Sequence, residues 1–350
     1  MSVEYVLSKY KQKLFLKNFE ISYRNKEVPP PHFVFWDSTR KCNLNCIHCG
    51  AKNRYEKELN TNEIKDIIDQ LVNSGVKILL ITGGEPLVRN DFFDVLKYAS
   101  KKGLHCGFAT NGYLINKNNV NIISKTKTST VQISIDGAEQ IHNKIRRDNR
   151  SFKKAINAIK LLKKYTNCSV GVSTVVTPKN IECLNELKRI FLSLNIDFWN
   201  IGTVMPIGNA KDNAELFLSN EQVRRLMKFI SSSKHEINVD FAENFPFLGK
   251  YDKQVRKKPK ICPVGFLSCC IGVDGHIRGC PDQPDTEYFR EGNVLKERFG
   301  TIWTKSFKKY RDREIFKIDK KCSSCKEKYN CYGGCWVMRE RALHCILHYC

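Results

Sequence analysis

Between Phe33 and Val204 the chain passes through six short apolar runs, with amphipathic stretches set between them. FVFWD (33–37), KILLIT (77–82), LHCGFAT (104–110), TVQISID (130–136), CSVGVSTVV (168–176) and FWNIGTV (198–204) read as strands. NTNEIKDIIDQLVNSG (60–75), DFFDVLKYASKKG (91–103), SFKKAINAIKLLKKY (151–165) and NIECLNELKRIFLSL (180–194) read as helices. In the first of these helices Asn60 is the N-cap, Glu63 stands three residues on, and Gly75 follows the end. In the 151–165 helix Phe152, Ala155, Ile156, Ile159 and Leu162 share one face. A strand-then-helix alternation of this kind permits few folds. Its strands must lie parallel with right-handed crossovers, which predicts an α/β fold, an open or closed barrel.

In such sheets ligands bind beyond the carboxyl ends of the strands. The unusual residues of this chain fall there. The loop TRKCNLNCIHCGAKN (39–53) after the first strand carries Cys42, Cys46 and Cys49, GGEP (83–86) follows the second strand, TNG (110–112) the third, and SIDG (134–137) closes the fourth. The glycines of GGEP let backbone approach a ligand closely, and Glu85 beside them is an acceptor for an amine. The C-x3-C-x2-C loop has no fourth cysteine until Cys106. Zinc and ordinary iron–sulfur sites take four protein ligands, and zinc sites usually start from a C-x2-C pair. A zinc reading would need His32 or His48 as its fourth ligand.

Composition narrows the setting. Of 350 residues, 41% are hydrophobic and 27% charged, as in a soluble globular protein. No run of about eighteen apolar residues occurs, so no membrane partner is expected. The N-terminus is charged throughout and lacks the apolar core of a signal peptide, so the expected location is cytoplasmic. That compartment keeps thiols reduced, so the sixteen cysteines point to metal rather than disulfides. Ten of them crowd into residues 262 to 350. Cys106, Cys168 and Cys183 lie in predicted strands or a helix and are read as core residues. The formal charge of +23 is spread along the predicted helices without aromatic interleaving. It is read as a lysine-rich surface, and nucleic acid is not expected as a partner.

C-x3-C-x2-C after the first strand, with GGEP after the second, resembles the radical S-adenosylmethionine (SAM) superfamily. The resemblance implies a partial (β/α)6 barrel of the TIM type and a [4Fe–4S] cluster held by Cys42, Cys46 and Cys49. SAM would chelate the remaining iron, and reduction would release a 5′-deoxyadenosyl radical that abstracts hydrogen from substrate. It further implies that Gly83, Gly84 and Glu85 meet the methionine amine, Ser134 the ribose or carboxylate, Arg146 the same groups, and His48 the adenine.

The C-terminal region reads CPVGFLSCCIGVDGHIRGC (262–280), then CSSCKEKYNCYGGC (322–335), then Cys345 and Cys350. Its spacing, C-x12-G-x4-C with C-x2-C-x5-C-x3-C and a last cysteine, resembles the SPASM domain, which holds two auxiliary [4Fe–4S] clusters. That resemblance implies Cys262, Cys280 and Cys335 on one cluster, with Cys269 or Cys270 as a fourth ligand. It implies Cys322, Cys325 and Cys331 on the other, with Cys350 or Cys345. A zinc ribbon would leave Cys262, Cys280 and the G-x4-C spacing without purpose. The domain reading is therefore an N-terminal extension at 1–32, the barrel at 33–236, a bridge at 237–260 and the SPASM domain at 261–350.

SPASM enzymes mostly modify ribosomally made peptides by cross-linking, epimerisation or oxidation, and some act on porphyrin side chains or sugar nucleotides. A peptide substrate is the expected partner, with a flavodoxin- or ferredoxin-type electron donor. One of Cys106, Cys168 and Cys183 would then be the place to seek a hydrogen-donating thiol, as in peptide epimerases of the superfamily. Only about thirty residues precede the first strand, so a separate leader-recognition protein is expected too.

Overall fold

The structure, a computed structural model, describes residues 28–51, 57–242, 248–256, 262–312, 320–331 and 333–337. Each of the six expected strands is present: β1 (Phe33–Asp37), β2 (Ile78–Thr82), β3 (His105–Thr110), β4 (Thr128–Ser134), β5 (Ser169–Val176) and β6 (Phe198–Thr203). They pair in that order and all in parallel. The crossovers are α1 (Thr61–Asn73), α2 (Phe92–Lys101), α3 (Lys117–Ser124), the pair α4 (Glu139–Arg146) and α5 (Ser151–Tyr165), and α6 (Leu184–Ser193).

Local chemistry accounts for the start of α1. Asn60 Oδ1 accepts from the Asn62 and Glu63 amides, and Glu63 Oε2 accepts from the Asn60 amide, which closes a capping box. On α5 the buried face is Ala155, Ala158, Ile159 and Leu162, while Phe152 and Ile156 pack partly buried at its margin.

The sheet extends further than the sequence reading at both ends. A helix, α7 (Asn220–Ser233), leads to β7 (Val239–Phe241), which adds in parallel to β6. This strand lies in the stretch read as a bridge. Three residues are too few to show a period of two, so no pattern marked it. At the other edge β8 (Ser268–Ile271), from the cysteine-rich region, pairs in parallel with β1, and β9 (His276–Arg278) and β10 (Gly292–Asn293) continue antiparallel. The final order is β10-β9-β8-β1-β2-β3-β4-β5-β6-β7.

Outward-facing strand residues such as Val34, Leu79, Ile81, Phe108, Val131, Ile133, Val172 and Trp199 pack with the helices in one core. The strand alternation then points Gln132, Ser134, Ser173, Asn200 and Asp240 to the concave side. The cysteine-rich region is tied to the barrel through Asp37, the last residue of β1. Its buried carboxylate takes Arg278 of β9 at 3.1 Å and Arg40 of the cysteine loop at 2.9 Å. No helix among the described residues is long and apolar enough to cross a membrane.

Candidate active site

The cysteine loop leaves β1 at the carboxyl rim and is gripped from four directions. Gly84 and Glu85 donate their amides to the Thr39 and Lys41 carbonyls at 2.6 and 2.9 Å. The approach is so close that a Cβ on Gly84 would lie 2.2 Å from the Lys41 carbonyl oxygen. What the glycines of GGEP admit is thus the backbone of the cysteine loop. Arg89 donates to the Ser38 carbonyl. From α4, the Ile145 carbonyl accepts the Ile47 amide. From the turn after β6, Asn209 gives its amide to the Cys49 carbonyl and its side chain to the Cys46 carbonyl, at 2.8 and 3.0 Å.

Glu85 is buried below this loop. Its carboxylate accepts from Thr110 Oγ1 at 2.6 Å, the Asn111 amide at 2.7 Å and the Leu87 amide at 3.2 Å. Burial pushes its pKa up, against the pull of those hydrogen bonds. The TNG stretch contributes a second contact, since Asn111 Nδ2 donates to Asn43 Oδ1 and sits 4.0 Å from Cys42 Sγ.

SIDG supplies the electrostatic centre. Asp136 is fully buried, and its Oδ2 takes Arg146 Nε at 2.7 Å, Arg146 Nη2 at 2.6 Å and His48 Nε2 at 2.9 Å. Oδ1 accepts the Val175 amide at 3.0 Å. Burial alone would raise the Asp136 carboxyl, but Arg146 and then His48 outweigh it and hold it far below the ordinary range. Behind it His142 Nδ1 accepts the Asp136 amide at 3.0 Å. Burial, and then the Arg146 charge, push His142 down to about 3 from 6.5.

His142 therefore gives a pH signature. As pH falls below 6.5 the unfolded chain binds a proton that the folded chain refuses, so stability present above that pH is lost on the acid side. Urea unfolding should show a loss of about 2 kcal/mol between pH 7 and pH 5. His142→Asn, which keeps an acceptor for the Asp136 amide, should flatten that slope.

Ser134 ends β4 and is partly exposed on the concave side. Arg146 is nearly buried, with its guanidinium on Asp136 and its Nη1 3.7 Å from Cys46 Sγ. Cys106 packs in the helix-side core of β3, and Cys183 donates to the Asn180 carbonyl. In the second region burial pushes the Cys280 thiol up, and Cys335 and Cys262 stand close enough to add to it. Cys269 and Cys270 are successive residues of β8 and face opposite sides. Cys269 lies in the core with Arg311 and Glu291 as charged neighbours, and Cys270 has Arg278, Asp37 and Arg40. Cys322, Cys325 and Cys331 are partly exposed, Cys322 and Cys331 on two short helical turns and Cys325 between them. Cys345 and Cys350 lie outside the described residues.

Asp136, Asn111, Thr110 and Asn209 were not singled out in the sequence. The first three sit inside SIDG and TNG, whose strand-end position was legible. Asn209 had no signal beyond a Pro–Gly turn.

Comparison with known proteins decides the family. Residues 36–190 match the radical SAM superfamily, and residues 262–326 match an iron–sulfur cluster-binding domain, SPASM. Mycofactocin maturase MftC of Mycobacterium tuberculosis is 30% identical over 316 residues, which is 88% of this chain and 79% of that protein. The chain belongs to the radical SAM superfamily. This radical SAM chain is also 28% identical to the AdoMet-dependent heme synthase of Oleidesulfovibrio alaskensis, over 88% of this chain and 83% of that one. Its fold matches that of Streptococcus suis SuiB bound to precursor peptide SuiA, with a TM-score of 0.73 at 18% identity, over 93% of this chain and 76% of that one.

A radical SAM enzyme with a SPASM domain binds [4Fe–4S] clusters and SAM. The donor set at the cysteine loop suits such a cluster. Burial, then neighbouring carboxylate and thiol charge, push Cys42 up to about 11, and burial and Cys46 likewise raise Cys49. These two thiols are costly to ionise together, and iron offsets that cost while releasing their protons. Among the described residues no three Cys, His, Asp or Glu side chains converge on one metal-ion position. A cubane does not require that, because each thiolate takes its own iron.

Proposed function

We propose that this radical SAM enzyme abstracts a hydrogen atom from a ribosomally made peptide, leaving a cross-link, an epimer or an oxidised side chain. SAM reduced at a [4Fe–4S] cluster supplies the 5′-deoxyadenosyl radical for that step. Cys42, Cys46 and Cys49 would hold the cluster, while Gly83, Gly84, Glu85, Ser134 and His48 would border the cofactor. In the second region Cys262, Cys280 and Cys335 would hold one auxiliary cluster. Cys322, Cys325 and Cys331, completed by Cys350, would hold another.

One observation carries the choice of substrate. Ser134, Ser173, Asn200 and Asp240 are paired in register across β4 to β7 and form one polar row on the concave face. Ser134, Ser173 and Asp240 are partly exposed residues, although Oδ2 of Asp240 is itself buried. A peptide backbone offers donors and acceptors to match hydroxyl, amide and carboxylate in turn. A carboxylate in the row works against a tetrapyrrole, whose rim carries carboxylates of its own. The maturase relative supports the peptide reading. The heme synthase relative supports a second one, oxidation or decarboxylation of a tetrapyrrole. A flavodoxin- or ferredoxin-type donor and a separate leader-recognition protein complete the proposal.

The test is mass spectrometry of a peptide encoded beside the gene, incubated anaerobically in heavy water with enzyme, SAM and dithionite. Loss of two hydrogens is expected for oxidation or cross-linking, and gain of one deuterium for epimerisation. An unchanged peptide, together with loss of carbon dioxide from an iron porphyrin bearing propionates, would replace this reading with the second.

A further inference from the structure

We infer that Arg146, held in place by Asp136, acts on the cluster through Cys46 and makes it easier to reduce. The inference rests on the ligand assignment proposed above. The guanidinium is nearly buried and has no freedom to swing. Its Nε and Nη2 both lie on Asp136 Oδ2, at 2.7 and 2.6 Å, which leaves Nη1 directed at Cys46 Sγ, 3.7 Å away. Asp136 is itself fixed by the Val175 amide on Oδ1, by its own amide on His142, and by Asn180 Nδ2 on its carbonyl. Asp136, His142, Val175 and Asn180 thus converge to aim one cation at one sulfur.

Reduction adds an electron to a centre already bearing three thiolates. A fixed positive charge and a hydrogen bond on one sulfur favour the more negative, reduced state. Low polarisability around buried groups strengthens that preference. A guanidinium cannot lose its proton in a protein, so the effect does not depend on pH. Asp136 is then a positioning residue, one step removed from the cluster.

The measurement uses the full chain, reconstituted anaerobically and kept free of SAM, so that any role of Arg146 in binding the cofactor is silent. Electron paramagnetic resonance gives the reduced fraction at a fixed solution potential, and subtracting the C42A/C46A/C49A spectrum isolates the cluster of the first loop. Arg146→Gln should lower the ratio of reduced to oxidised cluster about tenfold, equivalent to about 59 mV for one electron. Asp136→Glu, which keeps the carboxylate charge but displaces it and the guanidinium with it, should shift it the same way by less.

An unchanged ratio in Arg146→Gln at full iron content would overturn the inference. Should that variant fail to take up iron, Asp136→Glu decides, and an unchanged ratio there overturns it equally. The triple cysteine variant separates this from the assignment beneath it, since it should lose about four irons. Retention of all its iron would remove the ligand assignment itself.

Discussion

Cys46→Ala is expected to abolish 5′-deoxyadenosine formation, a fall of at least about 10³-fold, or about 4 kcal/mol of transition-state stabilisation. Iron content should fall by about four atoms per chain. Two effects add. The loop offers three thiols, and Cys106, the next in sequence, is packed away in the core of β3 and cannot take over. Cys46 is also the thiol nearest the Arg146 guanidinium. Without it a buried cation faces an empty methyl-sized space, with Asp136 as its remaining charged partner. Chromatographic assay of 5′-deoxyadenosine, with iron and sulfide analysis, checks the result. Cys106→Ala is the control, expected to cost about 1 kcal/mol of packing and no cleavage of SAM. Retention of more than about a tenth of wild-type cleavage in Cys46→Ala would remove Cys46 from the ligand set.

Gly84→Ala should have the next largest effect, because the added methyl meets backbone and not a side chain that can turn aside. Its Cβ would lie 2.2 Å from the Lys41 oxygen, 2.8 Å from the Lys41 carbonyl carbon and 3.0 Å from the Arg40 oxygen. The loop cannot retreat, since Arg89 holds Ser38 and Asn209 holds Cys46 and Cys49 from other sides. A loss of about 3 kcal/mol follows from overpacking of this kind, seen as a fall of about 5 °C in unfolding midpoint. Cluster content should fall with it, because the strained atoms are one residue from Cys42. Gly103→Ala separates backbone strain from steric clash. Gly103 has φ +94° but nothing within 4 Å of an added Cβ, so about 1 kcal/mol is expected there, with the cluster intact. Equal cluster loss in both variants would refute the close-packing account of GGEP.

How far the site could be read in advance varied with the kind of signal. Cys42, Cys46, Cys49 and GGEP stood out because their chemistry is written in residue type and spacing, and both fall after a recognisable strand. The strands themselves were legible because β2, with ILLI buried, and β3 to β6 are flanked by sheet on both sides and must be apolar nearly throughout. Asp136 and Asn111 were flagged only as parts of rim stretches, since nothing local says that a carboxylate in SIDG will meet an arginine ten residues on and a histidine eighty-eight residues back. Arg146 was expected to face SAM, and its commitment to Asp136 and Cys46 emerges only from the packing of α4 against the cysteine loop.

By itself the sequence determined the alternating parallel architecture, the rim at which the chemistry sits, and two separate cysteine-rich regions that point to metal. These follow from periodicity and from the few chemistries open to closely spaced thiols, both of which are local properties. Tertiary structure decided that β8 of the second cysteine region pairs with β1 of the first, that Asp37 and Arg278 tie the two together, and that VDF at 239–241 is a strand. It also decided which charge points at which sulfur. Those outcomes depend on residues up to 241 positions apart that meet only when the sheet closes its order, and no period or motif in a single chain records such a meeting.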